Sequence, residues 1–265
     1  MSGLTGNPLW RFVGVRSAAA LFFAYLYLPI VILIALSFNE NRTATIWTGF
    51  STQWYGVVLA NDDILRAAYN SLIIATSATL AGTLVATLAA LGMARAQFRG
   101  QDGVNGLISL PLVVPEIVTA VATLLFFVLI GFKLGLATVI VAHTVFCIPF
   151  AYLPIRARLE GMDASLQEAA FDLYADRWQT FRRITLPLLW PGILSGAMLA
   201  FIISLDDFVI TYFVAGAGAT TLPVYIFGMI RIGVTPEVNA VSSLMLVISI
   251  LFVSVSYLVG RVAKR

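Results

Sequence analysis

Along six stretches of this chain the usual alternation of apolar and polar positions is absent. The runs lie at about 17–38, 68–94, 104–131, 134–155, 188–214 and 239–260, and each is apolar around the full circumference of a helix. A helix crossing a bilayer needs about 20 such residues, because its backbone polar groups must be satisfied internally. The pattern therefore predicts an all-α, polytopic membrane protein with six transmembrane helices in one domain, residues 1–265. The first run, "SAAALFFAYLYLPIVILIALSF", exceeds the usual apolar core of a cleaved signal, although "ALS" at 35–37 resembles a cleavage site. It is expected to stay as the first span. No soluble domain, low-complexity tail or internal repeat stands out.

Composition supports the same class. Hydrophobic residues make up 60% of the chain and charged residues 11%, with a mean hydropathy of +0.95. Soluble domains are about a quarter charged. The net charge of +3 would suit nucleic acid, but lysine and arginine placement accounts for it better. Arg11, Arg16, Arg95, Arg99, Arg156, Arg158, Arg177, Arg182, Arg183, Arg261, Lys264 and Arg265 fall on one set of connections. Only Arg42, Arg66, Lys133 and Arg231 fall on the other, twelve against four. The positive-inside rule then places both termini in the cytoplasm and predicts no nucleic-acid partner. The aromatic "GFSTQWYGVVLANDDILRAAYNS" segment after the first span reads as lying along the opposite interface.

The most polar stretch is the cytoplasmic loop 156–187, "RARLEGMDASLQEAAFDLYADRWQTFRRITLP". It predicts two short helices. Asp163 is a candidate cap for the first, with capping-box spacing from Ser165 to Glu168; Asp176 and Gln179 open the second. Trp178 and Phe181 share a face three residues apart, and Arg182 and Arg183 suit a helix C-terminus. Two readings stand: a solvated connector, or a docking element whose Phe171, Trp178 and Phe181 pack on a partner beside the flat Ala169–Ala170 face.

Three acids sit inside apolar runs. An ionisable group at the bilayer centre costs at least about 2.5–3.5 kcal/mol, so such residues face a cavity or a partner. Glu116 lies in "SLPLVVPEIVTA", roughly 18 Å into the third span, after Pro111 and Pro115. Asp206 and Asp207 lie in "SLDDFVITYF", toward the far end of the fifth. Adjacent helical positions differ by about 100°, so the two aspartates cannot both face one path. They read either as path-lining acids or as residues that have reached the interface. No lysine or arginine shares their depth. Phe208, Tyr212 and Phe213 are candidate aromatic walls for a cation. His143 is the single histidine; without clustered carboxylates it reads as a hydrogen-bonded packing residue, not a metal ligand. The single cysteine, Cys147, excludes an internal disulfide and a Cys-based zinc site. No nucleophile–base constellation is present, and no Gly-Lys pair exists to form a P-loop. The chain is therefore not expected to be an enzyme, to hold a metal or to bind ATP.

The stretch "EAAFDLYADRWQTFRRITLP" resembles the EAA loop of ABC-importer permeases. Glu168, Ala169, Ala170, Ile184, Leu186 and Pro187 stand at the pattern's positions, with Phe181 on the same element. Tyr174 replaces the pattern's glycine. "FAYLYLPIVILIALSFN", "GFSTQWY", "SLDDFVITYFVAG" and "LPVYIFGMIRIGVTPEVNA" extend the resemblance to the spermidine/putrescine importer permeases, and it is most similar to the second of their two permease subunits. This implies the type I importer permease fold in a bacterial cytoplasmic (inner) membrane. It also implies a paralogous permease partner, two cytoplasmic ATPase subunits that hold ATP and Mg2+, and an external solute-binding protein. Glu116, Asp206 and Asp207 would line the polyamine route. The branch also serves other organic cations and amino-acid-like or opine solutes. The rival from the residues alone is a self-sufficient secondary transporter or channel; a membrane scaffold would leave the acids unexplained.

Overall fold

A proline after an apolar run decides where the third span ends. The computed structural model describes residues 14–43, 46–95, 98–163 and 165–262; Arg11, Lys264 and Arg265 lie outside the described residues. Within them, 104–131 is not one helix. Helix α4 (Gln101–Val113) stops at Val114, and α5 (Glu116–Leu129) restarts at an angle of 107°. The ring of Pro115 disfavours helical backbone at the residue before it, and Val114 accordingly sits at ψ 132. The expectation of a continuous span is corrected on this point.

The remaining helices are α1 (Val15–Leu36), α2 (Gln53–Leu59), α3 (Asp62–Arg95), α6 (Leu136–Glu160), α7 (Ser165–Asp172), α8 (Arg177–Thr180), α9 (Leu186–Asp206), α10 (Val209–Val214), α11 (Leu222–Ile232) and α12 (Pro236–Val262). A π-helical turn, Phe181–Thr185, joins α8 to α9, so that Arg177–Asp206 runs as a helix of 30 residues. The fifth apolar run also differs from its expectation: it breaks at Asp207 and Phe208 instead of continuing to 214. Among the described residues five helices are long and apolar enough to cross a membrane, and the bent α4–α5 pair makes up to six.

Two compact units are present. The first combines Met1–Ala60 with Met229–Leu246. In it the fully buried Asn39 organises the chain after α1. Its amide donates to the Ile46 carbonyl at 2.8 Å, and its carbonyl accepts from the Asn41 and Thr48 amides. Trp54, expected at an interface, is turned inward instead, its indole N–H donating to the Asn39 carbonyl at 2.7 Å. A buried indole needs such a partner, which fixes α2 against residue 39.

The second unit, Asn61–Gly228 with Val247–Arg265, is built on α3, α6 and α9, which pack mutually. Lipid tails are as apolar as leucine, so contact between these helices depends on close packing and not on escape from water. Small residues provide it. Gly192, Gly196 and Ala200 form one face of α9, and a Cβ added at Gly196 would lie 2.6 Å from the Ala151 carbonyl oxygen of α6. Cys147 is fully buried in this seam with its thiol 3.4 Å from the Ala200 carbonyl. Helix α10 packs on α5 and α6, which brings the two helix breaks to one place.

Candidate functional site

At the second break the chain extends through Asp207 (ψ 126), and its carboxylate turns back over the start of α10. Oδ1 accepts the Thr211 N–H at 2.9 Å and the Thr211 hydroxyl at 3.1 Å, and Oδ2 accepts the Ile210 N–H at 3.4 Å. A carboxylate over free N–H groups at a helix start is favourable for both. From α6, His143 reaches the same point. Its Nε2 is 3.1 Å from Asp207 Oδ1 and 2.9 Å from Thr211 Oγ1, while Nδ1 is 2.8 Å from Ser204 Oγ in the last turn of α9. The imidazole is 1% exposed. An Nε2–H donor serves the Asp207 carboxylate, and Nδ1 pairs with the Ser204 hydroxyl.

Glu116, the first residue of α5, is brought beside Asp207 where α5 packs on α10, near enough for the two carboxyls to feel each other's charge. The structure thus unites two acids that sequence depth had placed at separate steps. Two carboxylates this close repel unless a proton or a cation lies between them. Asp206 differs from its neighbour: Asp207 is 6% exposed, whereas Asp206 is open on this chain. The inequality expected from helical geometry therefore exists, and the turn between α9 and α10 produces it. Phe208 and Tyr212 stand 5.3 Å apart, Phe213 is 5.8 Å from Tyr212, and Phe227 of α11 is 4.6 Å from Phe208, so all three candidate wall residues belong to one aromatic group beside the break. Phe227 and Ser204 were not singled out in the sequence.

His143 was read correctly as hydrogen-bonded, but its carboxylate partner Asp207 is 64 positions away along the chain and no local motif announces it. Among the described residues no group of three or more His, Cys, Asp or Glu could hold a metal.

The cytoplasm-assigned loop forms the two short helices. Asp163 accepts the Ser165 N–H at 2.9 Å, a bond that holds its carboxyl below the usual range. Asp176 caps α8 by accepting the Gln179 N–H at 2.7 Å. Between them Tyr174 takes the left-handed conformation itself, at φ 61. The Ala175 N–H donates to the Ala170 carbonyl at 3.0 Å and the Tyr174 N–H to the Phe171 carbonyl at 2.9 Å, the Schellman pattern that ends a helix. The turn that glycine would make is preserved, and tyrosine carries the strain. Glu168, Ala169, Tyr174 and Pro187 are exposed, Phe181, Ile184 and Leu186 are half-buried, and Ala170 is buried. The exposed Trp178 ring stacks on Phe181 at 5.7 Å. Tyr174→Gly is expected to stabilise this loop by about 1 kcal/mol, since relief of strain exceeds the entropy of glycine. Slower amide exchange at Ala175 would show it; faster exchange would show that the tyrosine ring contributes more than its backbone costs.

Residues 82–265 match the model of the binding-protein-dependent transport system inner membrane component. The chain belongs to this family of ABC-importer permeases. The permease is 40% identical over 239 residues to the spermidine/putrescine transport system permease protein PotC of Escherichia coli K12, covering 90% of each chain. It is also 40% identical over 264 residues to that organism's putrescine transport system permease protein PotI, covering 97% of this chain and 92% of the relative. A bacterial alginate ABC transporter, solved in complex with alginate pentasaccharide-bound periplasmic protein, matches with a TM-score of 0.73 at 18% identity, over 97% of this chain and 96% of that one. The methionine transporter MetNI, in an inward-facing form, matches at 0.66 and 21%, over 76% and 96%. These structures share the permease fold. The permease is thus a multi-pass inner-membrane transport component, homologous to polyamine permeases and working with partner proteins.

Proposed function

We propose that the permease forms half of the path by which an ATP-driven importer carries a linear polyamine, spermidine or putrescine, across the inner membrane. Equal identity to a spermidine/putrescine permease and to a putrescine permease favours the chemistry those two solutes share, protonated amines separated by short methylene chains. The observation that carries the reading is the placement of half-buried Glu116, exposed Asp206 and the Phe208–Tyr212–Phe227 rings around the two helix breaks. Carboxylates attract an ammonium group, and aromatic faces hold it without a desolvation cost as large as that of a bare apolar wall. An anionic solute would gain nothing here.

The partners are a paralogous permease, two ATPase subunits holding ATP and Mg2+, and an external solute-binding protein. Glu168, Ala169, Ala170, Tyr174, Phe181, Ile184, Leu186 and Pro187 would seat on an ATPase. Because α8 runs on into α9, movement at that seat would reach Ser204 and Asp206 through one helix.

Reconstitution tests this. Proteoliposomes holding the permease with its paralogue, ATPases and binding protein should take up radiolabelled spermidine or putrescine only with ATP inside. Glu116→Gln and Glu168→Ala should each lower uptake at least about tenfold, a loss of about 1.4 kcal/mol or more. Uptake that persists without the ATPases would overturn the importer reading in favour of a self-sufficient transporter.

A further inference from the structure

The geometry points to His143 as a positioning residue that sets how much negative charge the translocation path presents. This rests on the polyamine reading above and adds a residue that touches no substrate. His143 bonds to both sides of the second helix break: to Ser204 in the last turn of α9 at 2.8 Å, and to Asp207 and Thr211 at the start of α10 at 3.1 Å and 2.9 Å. Asp207 is thereby fixed as a cap, with its oxygens on the Ile210 and Thr211 N–H groups. Its neighbour Asp206, whose carboxylate takes no part in that network, is left facing outward from the buried network.

Without the Nε2–H donor, Asp207 loses one of the partners that hold it against α10, and its carboxylate can turn off the helix start toward the side on which Asp206 lies. The path then presents one more anionic group. A trication gains more from an added carboxylate than a dication does, so the consequence is a change in selectivity and not only in rate. Loss of fold or of assembly would lower uptake of both solutes by the same factor.

The test uses the full reconstituted importer, with spermidine as the trication and putrescine as the dication, each at concentrations that give separate KM and kcat values. His143→Ala should shift the spermidine-to-putrescine ratio of kcat/KM by about threefold or more toward spermidine, the size of coupling between contacting groups. Asp207→Asn added to it should remove the shift, because the mobile carboxylate is gone. His143→Gln, whose terminal amide can replace the Nε2 donor, should keep the native ratio. His143→Asn, which reaches only toward Ser204, should shift it. If the alanine variant fails to assemble, the glutamine and asparagine variants decide the matter alone. A ratio unchanged in the asparagine variant, or a shift that survives Asp207→Asn, overturns the inference. Wild-type importer that moves neither polyamine would overturn the functional reading instead.

Discussion

Adding one methyl group at Gly216 is expected to cost the permease more stability than any other single methyl addition at its described glycines. A Cβ there would run into the Leu134 carbonyl and the Gly135 amide nitrogen, both main-chain atoms of the α5–α6 connection. That connection cannot retreat cheaply. Thr138, fully buried, donates through Oγ1 to the Val214 carbonyl at 2.8 Å, and the same oxygen lies 2.9 Å from the Gly135 N–H that donates to it. Shifting Leu134 would break this three-way junction between the start of α6 and the end of α10. Overpacking a tight site costs typically 1–3 kcal/mol, and a backbone-on-backbone clash belongs at or above about 3 kcal/mol. Gly196→Ala should follow, with a Cβ 2.6 Å from the Ala151 carbonyl oxygen, partly offset by about 1 kcal/mol of helix propensity. Gly82→Ala, 3.2 Å from the Thr144 carbonyl oxygen, should be nearly neutral. Thermal melting of the three variants in detergent should rank them in that order. A Gly216→Ala protein that melts with wild type would show that the junction yields.

Asp207→Ala is expected to be the second large effect, and Asp206→Ala a small one on stability. Removing the Asp207 carboxylate leaves the Ile210 and Thr211 N–H groups without their acceptor, and the His143 Nε2–H with the Thr211 hydroxyl alone, in a buried place. Each buried orphan costs about 1–3 kcal/mol, and losing one member of a buried charged network costs about 3–5 kcal/mol in all. Asp207→Asn keeps an oxygen over the helix start and should cost only about 1 kcal/mol. Asp206, open on this chain, should tolerate alanine with little change in melting while polyamine uptake falls. Melting and uptake measured on the same preparations separate the roles. Equal melting of the two alanine variants would refute the division of labour between the neighbours.

Hydropathy made the spans legible because a helix in lipid has to be apolar all round, and that leaves a long unbroken signal. It concealed the breaks for the same reason. The apolar run continues through Val114 and Phe208 whether or not the helix does, so only Pro115, with its effect on the preceding residue, marked the first break. Nothing of that kind marks the second, where the cause is a side chain, Asp207, bonding forward to Thr211. The EAA-like loop was legible down to its caps, since capping depends on residues three positions apart. The acid cluster was legible as three separate residues only; its assembly depends on where α5, α6 and α10 cross, which is tertiary information. Tyr174 was a visible anomaly whose resolution required the backbone angle.

The unbroken helix from Arg177 to Asp206 gives the molecule a lever. Thirty residues at 1.5 Å each make it about 45 Å long, with its only change of winding in the π-helical turn Phe181–Thr185 near one end. Tilting such a rod by about 5° about its docking end would carry the far tip roughly 4 Å by simple geometry. That exceeds the 2.8 Å bond from His143 to Ser204 at the tip. A stroke of that size, too small to register as a change of fold, would be enough to undo the latch that keeps one aspartate turned away from its neighbour.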